Sequence, residues 1–593
     1  MPMTWDLTDL YAGVDDPALS DALAALEPRA EAFAATNRGR IGALTPEDFA
    51  AVLADYEGIL HALEFPGAYA MLLFSGESTD PAHGALLQRV QERMVAIQQH
   101  LIFFELELIE IPEDAFTALL AHPVTATYRH YLEHARAQRP HRLSEAEERI
   151  LLEKSTTGRD AFTRLFDEII AAATFPMTED DETTPISEAE ILAKLHDPRR
   201  PVRRAAAAGL TAGLRERSRL FTYITNTLVY DKDVDDRLAR YPHPEAARHL
   251  ADEVDTATVH TMLEACVAHF GTVARYYRLK QSLLGVDRLT HYDLYAPLLS
   301  DDALVPWEDA RDIVQSAYAR FDVSAGQMVR RFFDERWIDA EVRPGKRGGA
   351  FCMGLTPDWH PYVLTNYLGR KRDVMTLAHE LGHGLHDLLA GGQHLLQYHP
   401  SLAAAETASV FGEMLTFHDL VERTASPRER LALLAGKIED IFATVFRQTA
   451  LYRFEQALHA ARRAEGELRE ERIDDLWHAN LQAMFGDAVE LGADYRLWWM
   501  YIPHFVHTPF YVYAYAFGQL LTMALYARYQ QEGAAFAPHF LNILRAGGSK
   551  RPAELMAVAG LDISTRDFWD AGLRTIDNLV TQAEALGAEV GTL

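Results

Sequence analysis

His379-Glu380-Leu381-Gly382-His383 is the stretch on which the reading of this chain turns. An α-helix completes a turn in 3.6 residues, so side chains four apart stack on one face. His379 and His383 can therefore aim two imidazoles at a single metal ion. Glu380 leaves the helix to one side, where it reaches a water molecule rather than the ion. The pattern is short. With 25 His and 86 Asp+Glu in 593 residues, a chance match is expected about 0.1 times, so the flanking sequence has to decide.

Residues 373–390 read as a helix with Asp373 as its N-cap and Gly391-Gly392 as its stop. Val374, Leu377, Ala378, Leu381, Leu385 and Leu388 give it an apolar stripe, beside which run His379, His383 and His386. Gly382 and Gly384 each cost a helix about 1 kcal/mol relative to Ala, which points to close packing or a nearby ligand. Two imidazoles need a third protein ligand. A His-x-x-Gly-x-x-His continuation is absent, because His386 stands where its Gly would be and Leu389 where its last His would be. A carboxylate from the next helix fits better. In Ser401-Leu402-Ala403-Ala404-Ala405-Glu406-Thr407-Ala408-Ser409-Val410-Phe411-Gly412-Glu413, small residues around Glu406 let that helix come close. Glu406 is expected as the ligand. Glu413, seven residues on and on the same face, is expected to orient a ligand histidine, and His386 to pack or support rather than ligate. Two His, one Glu and an open fourth position make a catalytic rather than a structural zinc set.

Before this helix, Gly348-Gly349-Ala350-Phe351-Cys352-Met353-Gly354, a Pro357-Asp358 turn and Tyr362-Val363-Leu364-Thr365-Asn366-Tyr367 predict a β-hairpin. Its edge could pair with an extended peptide through backbone hydrogen bonds, with the glycines admitting a second backbone. A small structural hairpin accounts for the residues equally well. Elsewhere alanine-rich amphipathic segments dominate, as in 17–33, 46–63 and 81–109. The run Glu179-Asp180-Asp181-Glu182 within 176–185 marks a loop or short hairpin. The Arg199-Arg200 and Arg203-Arg204 pairs read as helix surface. A mainly α protein follows, with one small sheet near 346–368, divided into an N-terminal helical region (1–190) and a catalytic region (191–593).

The balance of 57 basic against 86 acidic residues, a formal charge of −29, argues against nucleic acid or an anionic membrane as partner. Cys266 and Cys352 stand far apart, so disulfides do not hold the fold. No signal peptide and no membrane span is evident, and a cytoplasmic location is expected. Oligomeric state is not legible.

The sequence resembles the oligoendopeptidase F branch of the thimet oligopeptidase-like zinc peptidases. The similarity is carried by Thr376-Leu377-Ala378-His379-Glu380-Leu381-Gly382-His383-Gly384-Leu385-His386 and by Glu406-Thr407-Ala408-Ser409. It continues in Trp5-Asp6-Leu7-Thr8-Asp9-Leu10-Tyr11, Thr157-Gly158-Arg159-Asp160-Ala161-Phe162 and Tyr292-Asp293-Leu294-Tyr295-Ala296-Pro297. The resemblance implies two helical lobes around a deep substrate channel with one Zn2+ at its floor, and a substrate-binding strand at Gly348, Gly349, Ala350 and Phe351. It also implies that His504, Tyr511 and Tyr515 donate hydrogen bonds to the substrate carbonyl, with His507 competing for the place of His504. Thr508 and Pro509 read as N-cap and first residue of a helix placing Tyr511 and Tyr515 on one face.

The expected function is a zinc endopeptidase acting on internal bonds of short, unstructured oligopeptides, with Glu380 as general base. A helical zinc carboxypeptidase is the alternative. A peptide-binding scaffold with a degenerate metal site is a further rival, against which the complete ligand set and Glu380 argue.

Overall fold

The computed structural model describes residues 3–298 and 304–591. Helices dominate the described residues, and strands are confined to a two-stranded hairpin and a three-stranded sheet. The chain divides into two compact units, one of Met1–Arg139, Asp302–Glu422 and Leu525–Asp562, the other of Pro140–Asp301, Arg423–Ala524 and Ile563–Leu593. Both units take chain from either side of residue 190. The linear division expected there differs from this one, because later segments return to pack on earlier ones.

In the first unit, the helices Pro17–Asn37, Pro46–Gly76 and Pro81–Glu110 pack on one another. Each begins with proline, whose missing N–H costs nothing in a first turn. Each follows a capping side chain, Asp16, Thr45 or Asp80, that accepts a backbone N–H of that turn. Phe33, Phe49, Tyr56 and Phe104 fill the core between them. The sheet has Tyr362–Leu364 at its centre, parallel to Ile338–Asp339 and antiparallel to Phe351–Met353. The expected hairpin is thus present, and 351–353 is its edge among the described strands.

The helix bearing the His-Glu-x-x-His motif runs Lys371–Ala390, and the one bearing Glu406 runs Leu402–Arg423. The first starts two residues earlier than expected. Asp373 is not its N-cap; it lies in the first turn, and its carboxylate accepts the backbone N–H groups of Arg370 and Leu368 at 3.0 and 2.8 Å. Val374, Leu377, Ala378, Leu381 and Leu385 are buried as the stripe required.

In the second unit, the segment 176–185 forms a hairpin of Phe175–Glu179 and Glu182–Ile186. Asp180 and Asp181 turn it with φ of 50° and 64°, the double left-handed conformation of a tight two-residue hairpin turn. It lies on the helix Arg200–Leu238, where glycine is required: a Cβ on Gly209 would sit 2.0 Å from the Pro176 carbonyl oxygen. Arg200 and Arg203 of that helix are not plain surface. Both bond the fully buried Asp293, at 2.8 and 2.9 Å. Both cysteines are free. No helix among the described residues is long and apolar enough to cross a membrane.

Candidate active site

The two helices that carry the motif meet through glycine. A Cβ on Gly382 would lie 2.5 Å from the Ala408 carbonyl oxygen, and one on Gly412 would lie 3.2 Å from that of Ala378. The close packing suggested by a mid-helix glycine is therefore helix against helix. Tyr318, buried behind the pair, donates to the Ala378 carbonyl at 2.8 Å. With backbones this near, the short reach of a glutamate brings Glu406 to both imidazoles.

His379 Nε2 lies 3.3 Å and His383 Nε2 3.6 Å from Glu406 Oε2. One donor atom from each of the three falls within 4.8 Å of the others. Zinc bonds of about 2.0–2.2 Å in a tetrahedral array separate neighbouring donors by roughly 3.4 Å, so the spacing and the chemistry of the set fit such an ion. Behind the donors, Glu413 Oε2 stands 3.4 Å from His379 Nδ1, and the Ser409 hydroxyl donates to Glu406 Oε2 at 2.7 Å. A carboxylate at this point can accept an Nδ1–H, the arrangement that leaves Nε2 free to ligate a metal.

The electrostatics carry the same message. Burial disfavours charge on His379, yet hydrogen bonds and charges of Glu406 and Glu413 hold its pKa above the usual range. The pairing with His379, reinforced by His383, takes Glu406 below its usual range in spite of burial. Burial pushes His383 down to about 4 against the pull of Glu406, with the His379 charge adding to the fall.

Glu380 is buried. Burial, with the Glu406 charge, pushes its carboxyl up to about 7, while the His379 charge and the nearby Cys352 backbone N–H work the other way. His386 is also buried, its Nε2 lacks a partner, and burial holds it down near 3. It is not grouped with the three donors.

These side chains open on a cavity of about 680 Å3, whose wall includes Gly348, Ala350, Phe351, His379, Glu380 and Glu406. Nothing lies within 4 Å of a Cβ built on Gly348 or Gly349, and Gly349 takes a φ of +82°. Asp387 lines the same cavity and escaped notice in the sequence, although it stands one turn after His383 on the motif face. Burial raises its carboxyl to about 7, and Cys352 Sγ lies 3.9 Å away.

His504, Tyr511 and Tyr515 come together in the second unit. His504 Nε2 is 3.3 Å from the Tyr515 hydroxyl, and the two tyrosine rings are 5.2 Å apart. The helix expected from Thr508 is absent: His504–His507 is a single short turn, and the long helix begins at Tyr513. Phe510 breaks the path with a φ of 61°, its N–H held by the buried Glu455 at 2.9 Å. Tyr511 is therefore presented by a bend and Tyr515 by a helix. His507 stands apart from the cluster, paired with Asp167 at 2.8 Å.

Comparisons with known proteins show the family of the chain. Residues 193–575 match Peptidase family M3, and residues 107–175 match Oligopeptidase F. The group B oligopeptidase PepB of Streptococcus agalactiae is 28% identical over 494 residues, spanning 82% of this chain and 81% of its own. An oligoendopeptidase F homolog of Lactococcus lactis is 25% identical over 590 residues, 98% of this chain and 97% of its own. Among solved structures, one from Chlamydophila abortus superposes with a TM-score of 0.91 at 23% identity, covering 98% of each chain. Oligoendopeptidase F of Enterococcus faecium gives 0.69 at 22% identity, covering 96% of this chain and 98% of its own. The chain belongs to peptidase family M3 and is a metallopeptidase.

Proposed function

We propose that the protein is a zinc endopeptidase that hydrolyses internal bonds of short, unstructured oligopeptides. The observation that carries this is the convergence of His379, His383 and Glu406, with Glu380 beside them, in one cavity edged by the strand Phe351–Met353 and the glycines that precede it. His379 Nε2, His383 Nε2 and Glu406 Oε2 would hold the ion, one per chain. When bound, zinc supplies Lewis acidity, acidifying a water molecule and polarising a carbonyl oxygen.

The chain's own groups do the rest. Glu380 takes a proton from the attacking water on its carboxylate and hands it to the leaving amide nitrogen. A buried carboxyl with a raised pKa suits both halves of that transfer. Glu413 keeps His379 in the tautomer that presents Nε2. The edge of 351–353 offers backbone groups to an extended peptide, a mode indifferent to side chains. The open space at Gly348 and Gly349 admits the peptide backbone. His504, Tyr511 and Tyr515 are proposed as donors to the substrate carbonyl. Their mutual grouping supports this, and the pairing of His507 with Asp167 favours His504 over His507.

Mass spectrometry of products from a mixed peptide pool, with and without a chelator, tests the reading. Multi-residue fragments from both sides of a bond, lost on chelation, are expected. Release of single C-terminal residues would replace it with a carboxypeptidase, and no chelator-sensitive cleavage would end it.

A further inference from the structure

Three cations lie close together before the edge strand, at Arg343, Lys346 and Arg347. Two are spent on one buried acid. Arg343 and Lys346 reach Asp339 at 2.6 and 2.8 Å, and the Lys346 ammonium also donates to three backbone carbonyls. Arg347 is different. Its guanidinium makes no ion pair or hydrogen bond among the described residues, and it lines the cavity that contains His379, Glu380 and Glu406. The charged side chains around that cavity are otherwise acids and histidines.

The position is built. The Arg347 N–H donates to the Ser75 carbonyl at 2.9 Å. The Asn366 side-chain amide donates to the carbonyls of Arg347 at 3.0 Å and Gly349 at 2.9 Å. The backbone of Arg347 is thus fixed from both sides, and the open step at Gly348 lies between the two clamped carbonyls. The guanidinium lies over the Phe351 ring at 5.6 Å. A cation–π contact of this kind uses none of the guanidinium N–H groups, which remain available to bind a carboxylate with two parallel hydrogen bonds.

We propose that Arg347 is an anion-binding subsite of the peptide site, taking a substrate carboxylate, either the free C-terminus or an acidic side chain. This rests on the peptidase function proposed above and adds a preference for peptides with an anionic group at a set distance from the cleaved bond.

The test uses fluorescence anisotropy of labelled peptides on the zinc-loaded Glu380→Gln protein, which reads binding without turnover. One peptide pair differs only in a C-terminal carboxylate or amide. A second set carries Glu or Gln at successive positions. The anionic member of one pair is expected to bind about tenfold more tightly, and that pair identifies the source of the carboxylate. Arg347→Gln should bring the ratio near one, and Arg347→Lys should retain part of it. Equal binding of all pairs, or a preference that survives Arg347→Gln, overturns the proposal. If wild-type protein still cleaves these peptides in a chelator-sensitive way, only the subsite falls. If it cleaves none of them, the peptidase reading falls as well.

Discussion

A Cβ on Gly382 would lie 2.5 Å from the Cα of Ser409, so the helices that carry the three donors touch backbone to backbone. Replacing Gly382 with Ala gains about 1 kcal/mol of helix propensity. It also forces a rigid contact apart, at a typical cost of about 1–3 kcal/mol. The clash is with backbone and cannot be relieved by a rotamer, so the cost should win. Gly382→Ala is expected to lower both the unfolding temperature and the zinc content after dialysis. Unchanged values of both would show that the helices do not need their present spacing.

Glu380→Gln preserves shape and removes the base. Zinc content should stay near one per chain while turnover falls by about 10²–10⁴-fold. Metal analysis beside steady-state kinetics checks this. A variant near wild-type rate would remove Glu380 as base.

Glu413→Gln probes the support of His379. Loss of the carboxylate beside Nδ1 should weaken zinc binding by about 10–100-fold, with little loss of turnover at saturating zinc. Competition against a chromogenic chelator measures it, and an unaltered affinity would leave Glu413 without that role.

Tyr511→Phe and Tyr515→Phe each remove one hydroxyl. If these groups meet the developing negative charge on the carbonyl, kcat should drop by about 10²–10³-fold with KM little changed, the usual scale for one such donor. Unchanged kcat in both would refute the role, and a change confined to KM would assign them to binding alone.

Stability should carry the signature of Glu455. Burial pushes its carboxyl up to about 8, with Glu245 adding to the shift and the Phe510 N–H, then Lys232 and Arg248, opposing it. The unfolded chain releases this proton near 4.5, so between about 4.5 and 8 the folded state binds one more proton than the unfolded state. Stability therefore falls as pH rises through that window, by up to about 1.4 kcal/mol per pH unit from this group. Glu455→Gln stays neutral and keeps an acceptor for the Phe510 N–H. Urea melts at pH 5 and pH 8 should show a smaller loss in the variant. Equal losses would mean that Glu455 is ionised in the folded protein.

The grouping of His379, His383 and Glu406 was legible because its information is local: i,i+4 spacing puts two imidazoles on one face, and small residues around Glu406 announce a close helix. The edge strand was legible from alternation and glycine. Three features were not, each for a physical reason. Thr508-Pro509 looks like a helix start, but Phe510 is held left-handed by Glu455, 55 residues earlier in the chain, and no local pattern encodes that hold. Arg200 and Arg203 resemble solvated charge until Asp293 arrives from about 90 residues away. The division into units depends on which distant segments return to which. Asp387 could have been found, since it continues the four-residue spacing of the histidines.

The unit containing His379, His383 and Glu406 is assembled from Met1–Arg139, Asp302–Glu422 and Leu525–Asp562. On the ribosome the core shared by its first helices can close early, but the helix Lys371–Ala390 packs on Ala537–Arg545 and must wait for it. Until then the nascent chain carries unsealed apolar surface, the condition under which chaperones are engaged. Truncation before residue 525 should accordingly yield an aggregating polypeptide rather than a smaller working enzyme.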